Sequence, residues 1–179
     1  AERAALDAES ERLRISRLAL RDRLRVLAAV DARVNVVLTA AHRRTARVRG
    51  LGADWVALAP LEDPRLLLVP LEALEQVGVD HGTLLASLDA DQPETSLRER
   101  MTLGFVLRDL ARRRVPVRIA PRHGEPVHGT IDRAGADHLD LAVHDPGEPR
   151  RTQNVRAHVM VPFAALVGVR AEWADAGMP

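Results

Sequence analysis

Two stretches of this chain carry the same order of apolar and polar positions. Val34, Val36 and Leu38 alternate with other residues in the first, as do Val115, Val117 and Ile119 in the second. A period of two is that of a half-buried strand. Each stretch follows a segment with helical patterning, and Ser96-x-x-Glu99 reads as the capping box that opens the second helix. Later in the second stretch Val127, Gly129 and Ile131 share one face of a second strand, and Gly135-Ala136-Asp137 supplies turn chemistry. Leu139 and Leu141 point inward on a third strand. A fourth runs to Val161, where Pro162 cannot donate to a ladder, and Leu166 and Val169 enter a fifth. A helix and five short strands within about 70 residues predict a small barrel, too short for a seven-stranded sandwich.

The agreement between the stretches is a matter of register as well as pattern. Gly52-Ala53-Asp54-Trp55-Val56-Ala57-Leu58 returns as Gly135-Ala136-Asp137-His138-Leu139-Asp140-Leu141, displaced by 83. At that displacement Val34, Val36 and Val48 fall on Val117, Ile119 and Ile131, with no gap from Leu27 to Leu58. Val69-Pro70-Leu71 returns as Val161-Pro162-Phe163 at a displacement of 92, and the nine additional residues fall in the polar stretch 145–155. Insertions are tolerated in surface loops. The expectation is an α+β, mainly β chain of two tandem units, each an N-terminal helix followed by a five-stranded Sm-like or SH3-like barrel. The units are placed at 1–80 and 96–172, with a linker at 81–95 and a tail at 173–179.

The run Val117 to Leu141, with Gly129-Thr130-Ile131 at its centre, resembles the first motif of Sm-like proteins. His158-Val159-Met160-Val161-Pro162-Phe163-Ala164-Ala165-Leu166 is similar to the second motif in its bacterial, Hfq-like form. The resemblance implies small barrels that self-associate and bind RNA. The Asp/Asn pair and the basic-Gly pair with which such proteins hold uridine have no counterpart, and Val-Pro-Leu at 69–71 and Val-Pro-Phe at 161–163 replace the Hfq-like Tyr-Lys-His. Other small barrels, the PRC type among them, also end a strand on Val-Pro and are the alternative fold.

Composition narrows the function further. The chain has 179 residues, 46% of them hydrophobic and 28% charged, enough to fill real cores. It has no cysteine, which excludes disulfides, thiolate metal sites and cysteine nucleophiles. All 26 basic residues are arginine, the mark of a GC-rich genome, which weakens arginine content as evidence for phosphate recognition. No apolar run approaches ~18 residues, so no membrane span is expected and a cytoplasmic setting is the default. No nucleophile elbow, phosphate loop, dinucleotide fingerprint or paired-carboxylate cleft is present, so the chain reads as a non-enzyme without cofactor.

A net charge of +1 conceals segregation. Residues 1–50 hold twelve Arg against six acids and 97–122 eight against two, whereas 51–96 hold one against nine and 123–149 one against six. Each unit is therefore basic in its helix and first strand and acidic afterwards. That polarity suits a phosphate-binding helix face, a solvated surface, or head-to-tail assembly. Arg112, Arg113 and Arg114 close the second helix, where the helix dipole favours cations and phosphate contact is the functional alternative. Arg43 and Arg44 are placed in an exposed turn between the first two strands. Trp55 should point outward, with His138 as its counterpart, so that both rings stack on bases or lie under a helix or partner chain. Met101, Leu103, Phe105, Val106 and Leu107 make the second helix apolar nearly all round, which implies a second buried face. His144 and His158 flank the long loop as a conceivable metal or pH-sensing pair. The lead expectation is a non-enzymatic Sm-like protein binding RNA through basic helix faces with little sequence preference. The alternative is an assembly scaffold or adaptor without the RNA pocket, and in either case a dimer or ring.

Overall fold

The computed structural model describes residues 1–89 and 96–172. In the first half α1 (Glu2–Ser16) and α2 (Leu20–Ala29) precede β1 (Arg33–Leu38), β2 (His42–Leu51), β3 (Trp55–Pro60), β4 (Leu67–Pro70) and β5 (Leu74–Gly78). A short helix, α3 (His81–Ala86), occupies the start of the expected linker. Residues 90–95 of that linker and the expected tail with Trp173 lie outside the described residues. The second half runs α4 (Leu103–Arg112), β6 (Pro116–Pro121), β7 (Val127–Ala134), β8 (His138–Val143), β9 (Ala157–Pro162) and β10 (Leu166–Ala171).

Matching local chemistry shapes the two halves. Asp31 after α2 and Arg114 after α4 both take left-handed backbone, at φ 50° and 52°. The following amides, of Ala32 and Val115, close on the carbonyls of Leu27 and Leu110, which stops each helix and turns the chain into its first strand. Residues 31 and 114 are 83 apart, the displacement of the repeat. The register breaks also correspond, between Val48 and Gly50 on β2 and between Ile131 and Arg133 on β7.

The expected pair of separate barrels is overturned. All ten strands form one open sheet in the order β5-β1-β2-β3-β4-β10-β6-β7-β8-β9. Within each half the order is the same, but β4 does not turn back to close its own half. It gives its free edge to β10, with Leu68 opposite Val169 and Leu67 opposite Arg170. β5 and β9 are left at the two ends of the sheet.

That seam explains why β3 and β4 are apolar on both faces, as a doubly covered strand requires. Val34, Val36, Val48, Val56 and Leu58 are buried in one core, and Val117, Ile119, Ile131, Leu139 and Leu141 in the other. Trp55, Ala57 and Leu68 belong to the core of the second half, while Val167 packs into that of the first. The outward placement of Trp55 is therefore also corrected. Its ring is 1% exposed, covers Gly52, and donates from Nε1 to the Met101 carbonyl at 2.9 Å. A Cβ on Gly52 would stand 2.0 Å from that ring, so the glycine is required by the close approach. Asp54 adds a second tie, since its Oδ1 accepts the Leu103 N–H at 2.7 Å.

The second helix differs from expectation in two ways. Ser96 and Glu99 do bond reciprocally, at 3.1 and 3.3 Å, but around a single 3-10 turn; α4 starts later, capped by Thr102 on the Phe105 N–H. Nor is α4 buried all round. Leu103, Val106, Leu107 and Leu110 face the core, and Phe105 is left 46% exposed.

Because the halves share core residues, they should unfold as one unit. Trp55→Ala is expected to lower stability by about 3–5 kcal/mol and to keep a single denaturant transition. A variant that loses one half first, with two separate transitions in far-UV circular dichroism, would count against a shared core.

Candidate functional site

The arginines of the helices are mostly engaged inside the molecule. Arg21 donates to the carbonyls of Gly52 and Glu99, and Arg23 to Ser87 Oγ and the Leu84 carbonyl. Arg25 bridges Glu99 and Asp22. On α4, Arg108 donates to the Gly135 carbonyl, while Arg112 and Arg113 both pair with Asp109. Arg114 is exposed, and its left-handed backbone ends the helix. Thus Arg112, Arg113 and Arg114 do not form a free basic patch; two are tied to one carboxylate.

Three of the strand arginines are different, whereas Arg47 and Arg49 pair with Asp31. Arg43 and Arg44 lie in β2 opposite Val37 and Val36, not in the expected turn. Arg33, Arg43 and Arg44 line a cleft of about 770 Å³ with Asn35, Thr45 and the β5 edge. Alternation puts Arg33, Asn35 and Val37 of β1 beside Arg47, Thr45 and Arg43 of β2 on the solvent face. Among the described residues, Arg33 and Arg43 have no carboxylate partner, and Arg44 donates only to the Arg43 carbonyl. Glu62 is the acid on the cleft wall. Sequence reading found Arg43 and Arg44 but missed Arg33, although its outward phase on the first strand was a usable signal.

No family model, curated protein or solved structure matches the chain.

Of the two readings for Trp55 and His138, the stacking pair is not assembled. Trp55 is buried, whereas the His138 ring is half exposed and lies 2.9 Å from Asp137. The histidine pair is not formed either. His144 is buried, with Nε2 2.8 Å from Thr130 Oγ1 and Nδ1 3.0 Å from the Asp145 carbonyl, while His158 is exposed. Among the described residues, no three His, Asp or Glu side chains converge as a metal site needs.

A polar network that sequence reading did not foresee lies at the seam. Arg65 donates to both oxygens of Asp63, at 2.9 and 2.7 Å, and reaches Glu172 at 2.8 Å. Arg170 donates to Asp63 at 3.0 Å, and His128 meets Glu172 at 2.7 Å. First-half and second-half residues are thereby cross-linked. The hydrogen bonds from Arg65 hold the Asp63 carboxyl well below the usual carboxylate range, burial opposes them, and the charge of Arg170 adds to the lowering. A carboxyl depressed in the folded state stabilises fully above its unfolded value, ~3.9, and that contribution is lost as pH falls toward the folded value. Asp63→Asn should therefore destabilise the protein at pH 7, by about 2–4 kcal/mol for a partly buried pair. It should also flatten the fall in stability below about pH 4. Equal acid sensitivity of variant and parent in urea titrations would remove Asp63 from that role.

Proposed function

We propose that this is a non-enzymatic Sm-like protein that holds RNA by its phosphates with little sequence preference. The observation that carries the reading is the cleft on β1 and β2, with Arg33, Arg43 and Arg44 exposed and unmatched by carboxylates among the described residues. Engagement of the helix arginines in internal bonds moves the contact from the helices to the strands. Guanidinium groups on a solvent face suit phosphate oxygens, and the buried state of Trp55 leaves little for base stacking. The shared strand order of the two halves and the motif pattern support the Sm-like assignment.

Self-association belongs to the same proposal, and a separate observation favours it. By the repeat, β9 corresponds to β4 and β5 to β10. Met160 on β9 occupies the place of Leu68, yet it is 77% exposed where Leu68 is 4% exposed in the seam. Val159 stands at the place of Leu67 and is likewise exposed. Pairing β9 of one chain with β5 of another would repeat the seam, placing Met160 opposite Val77. Such a head-to-tail contact is heterologous and closes into a ring when the rotation permits. An uncovered apolar edge strand otherwise invites aggregation.

Filter binding at low salt should retain single-stranded RNA of any sequence, with a log–log salt slope of about −2 if three phosphates are neutralised. Arg33→Glu with Arg43→Glu should reduce retention at least about tenfold. Charge reversal at Arg112, already held by Asp109, should change it little. No retention at roughly 50 µM protein would leave the scaffold reading in place of RNA binding.

Light scattering at tens of micromolar should find a dimer or ring. Met160→Asp should give a folded monomer with an unchanged far-UV circular dichroism spectrum, because its side chain is 77% exposed and contributes little to either core. A monodisperse monomer of the parent protein would remove the assembly.

A further inference from the structure

We propose that the seam between the two halves is an anion site that takes a phosphate monoester dianion, gripped by Arg118 of β6, Arg170 of β10 and Arg44 of β2. The three side chains line one pocket of about 160 Å³, together with His42 and an apolar floor that includes Leu38, Leu67 and Val167. The pocket is distinct from the RNA cleft, although Arg44 borders both.

The strand register carries the argument. Arg118 and Arg170 are directly opposite each other on neighbouring antiparallel strands. Like charges in that relation destabilise a sheet. The repeat shows that the unit does not need them. Displacements of 83 and 92 carry Asn35 to Arg118 and Gly78 to Arg170, and Asn35 and Gly78 are likewise opposite each other on β1 and β5. A neutral pair in one half has become two arginines in the other, at the place where the halves meet.

The surrounding acids do not balance them. Arg118 has no carboxylate partner among the described residues. Arg170 reaches Asp63, which Arg65 already holds through both oxygens, and the Arg170 Nε is buried without a hydrogen-bond partner. Around the pocket Arg44, Arg65, Arg118 and Arg170 face Asp63 and Glu172, an excess of two positive charges. Burial pulls the Arg170 guanidinium below its usual value; Asp63 opposes this, and the neighbouring charges of Arg65, Arg44 and Arg118 add to it. A dianion with several acceptor oxygens answers the excess charge, and the guanidinium forks of the exposed Arg44 and Arg118 match its geometry.

Free phosphate, a small phosphate ester and the 5′-phosphate end of an RNA present the same dianion. The site does not rest on the RNA reading. Calorimetry and thermal melting of the full chain with inorganic phosphate, at constant ionic strength near 0.15 M, should give saturable heat and a raised Tm that chloride does not reproduce. Arg118→Asn, which copies the other half, should lower phosphate affinity by about tenfold or more while leaving the Tm of the phosphate-free protein equal or higher. A purely structural Arg118 would lower that Tm, and this result would overturn the proposal. So would the absence of heat up to about 10 mM phosphate, or unchanged affinity in Arg118→Asn. Arg33→Glu with Arg43→Glu should lower RNA retention at least about tenfold and spare phosphate binding, so the two readings fail separately. Tighter binding of a 5′-phosphorylated dinucleotide than of its 5′-hydroxyl form assigns the dianion to an RNA end; equal binding of inorganic phosphate assigns it to the free ion, and both place it in this pocket.

Discussion

The pairing of β4 with β10 is the constraint on which the rest depends. Only two residue pairs carry its register, so backbone bonds alone would make a weak joint. Apolar exchange across it supplies the strength: Trp55, Ala57 and Leu68 are sealed into the second core, and Val167 into the first. A buried leucine or valine such as Leu68 or Val167 is worth roughly 1.5–3 kcal/mol, and all are lost together if the halves part. The approach is close enough that a Cβ on Gly168 would stand 2.7 Å from Leu67 Cδ1. Polar ties flank it, from Asp54 to the start of α4 on one side and from Asp63 to Arg170 on the other.

Much of each half was legible because inward positions are set by local periodicity. All ten of the matched apolar positions are buried, and the register breaks of the two halves stand at the same displacements of 83 and 92. Closure was not legible. Whether a last strand turns back or pairs with a neighbour depends on the complementarity of edges far apart in sequence, and a barrel and an open sheet share the same alternation. A signal did exist in β3 and β4. Trp55-Val56-Ala57-Leu58 and Leu67-Leu68-Val69 leave no polar alternate, the pattern of strands covered on both faces. Assigning Trp55 to solvent took one face as buried and the other as free by default.

Charge was legible by segment and not by residue. The basic character of 1–50 and 97–122 is real, but the partners that absorb it are distant. Arg21 reaches carbonyls 31 and 78 residues away, and Arg108 one that is 27 away. Carbonyl acceptors leave no trace in a count of acids and bases. On the strands alternation adds what a count lacks: it sets Arg33 and Arg43 on the solvent face of β1 and β2, where they have no carboxylate partner among the described residues.

The two copies differ at the residues that form the internal joint in one and face outward in the other. Inside the chain the joint is anchored by Trp55, with its indole bonded to Met101. At the corresponding place on β8 stands His138, smaller, half exposed and bonded to Asp137. A chain-to-chain joint built from β9 and β5 therefore lacks the anchor that the internal joint has, and it lacks the opposed arginines as well, since Asn35 and Gly78 occupy their positions. Duplication would thus have fixed one joint as permanent and left the other weaker and reversible. Assembly between chains would then depend on concentration, whereas the anion pocket, confined to the internal seam, would be present in every copy whatever its state of association.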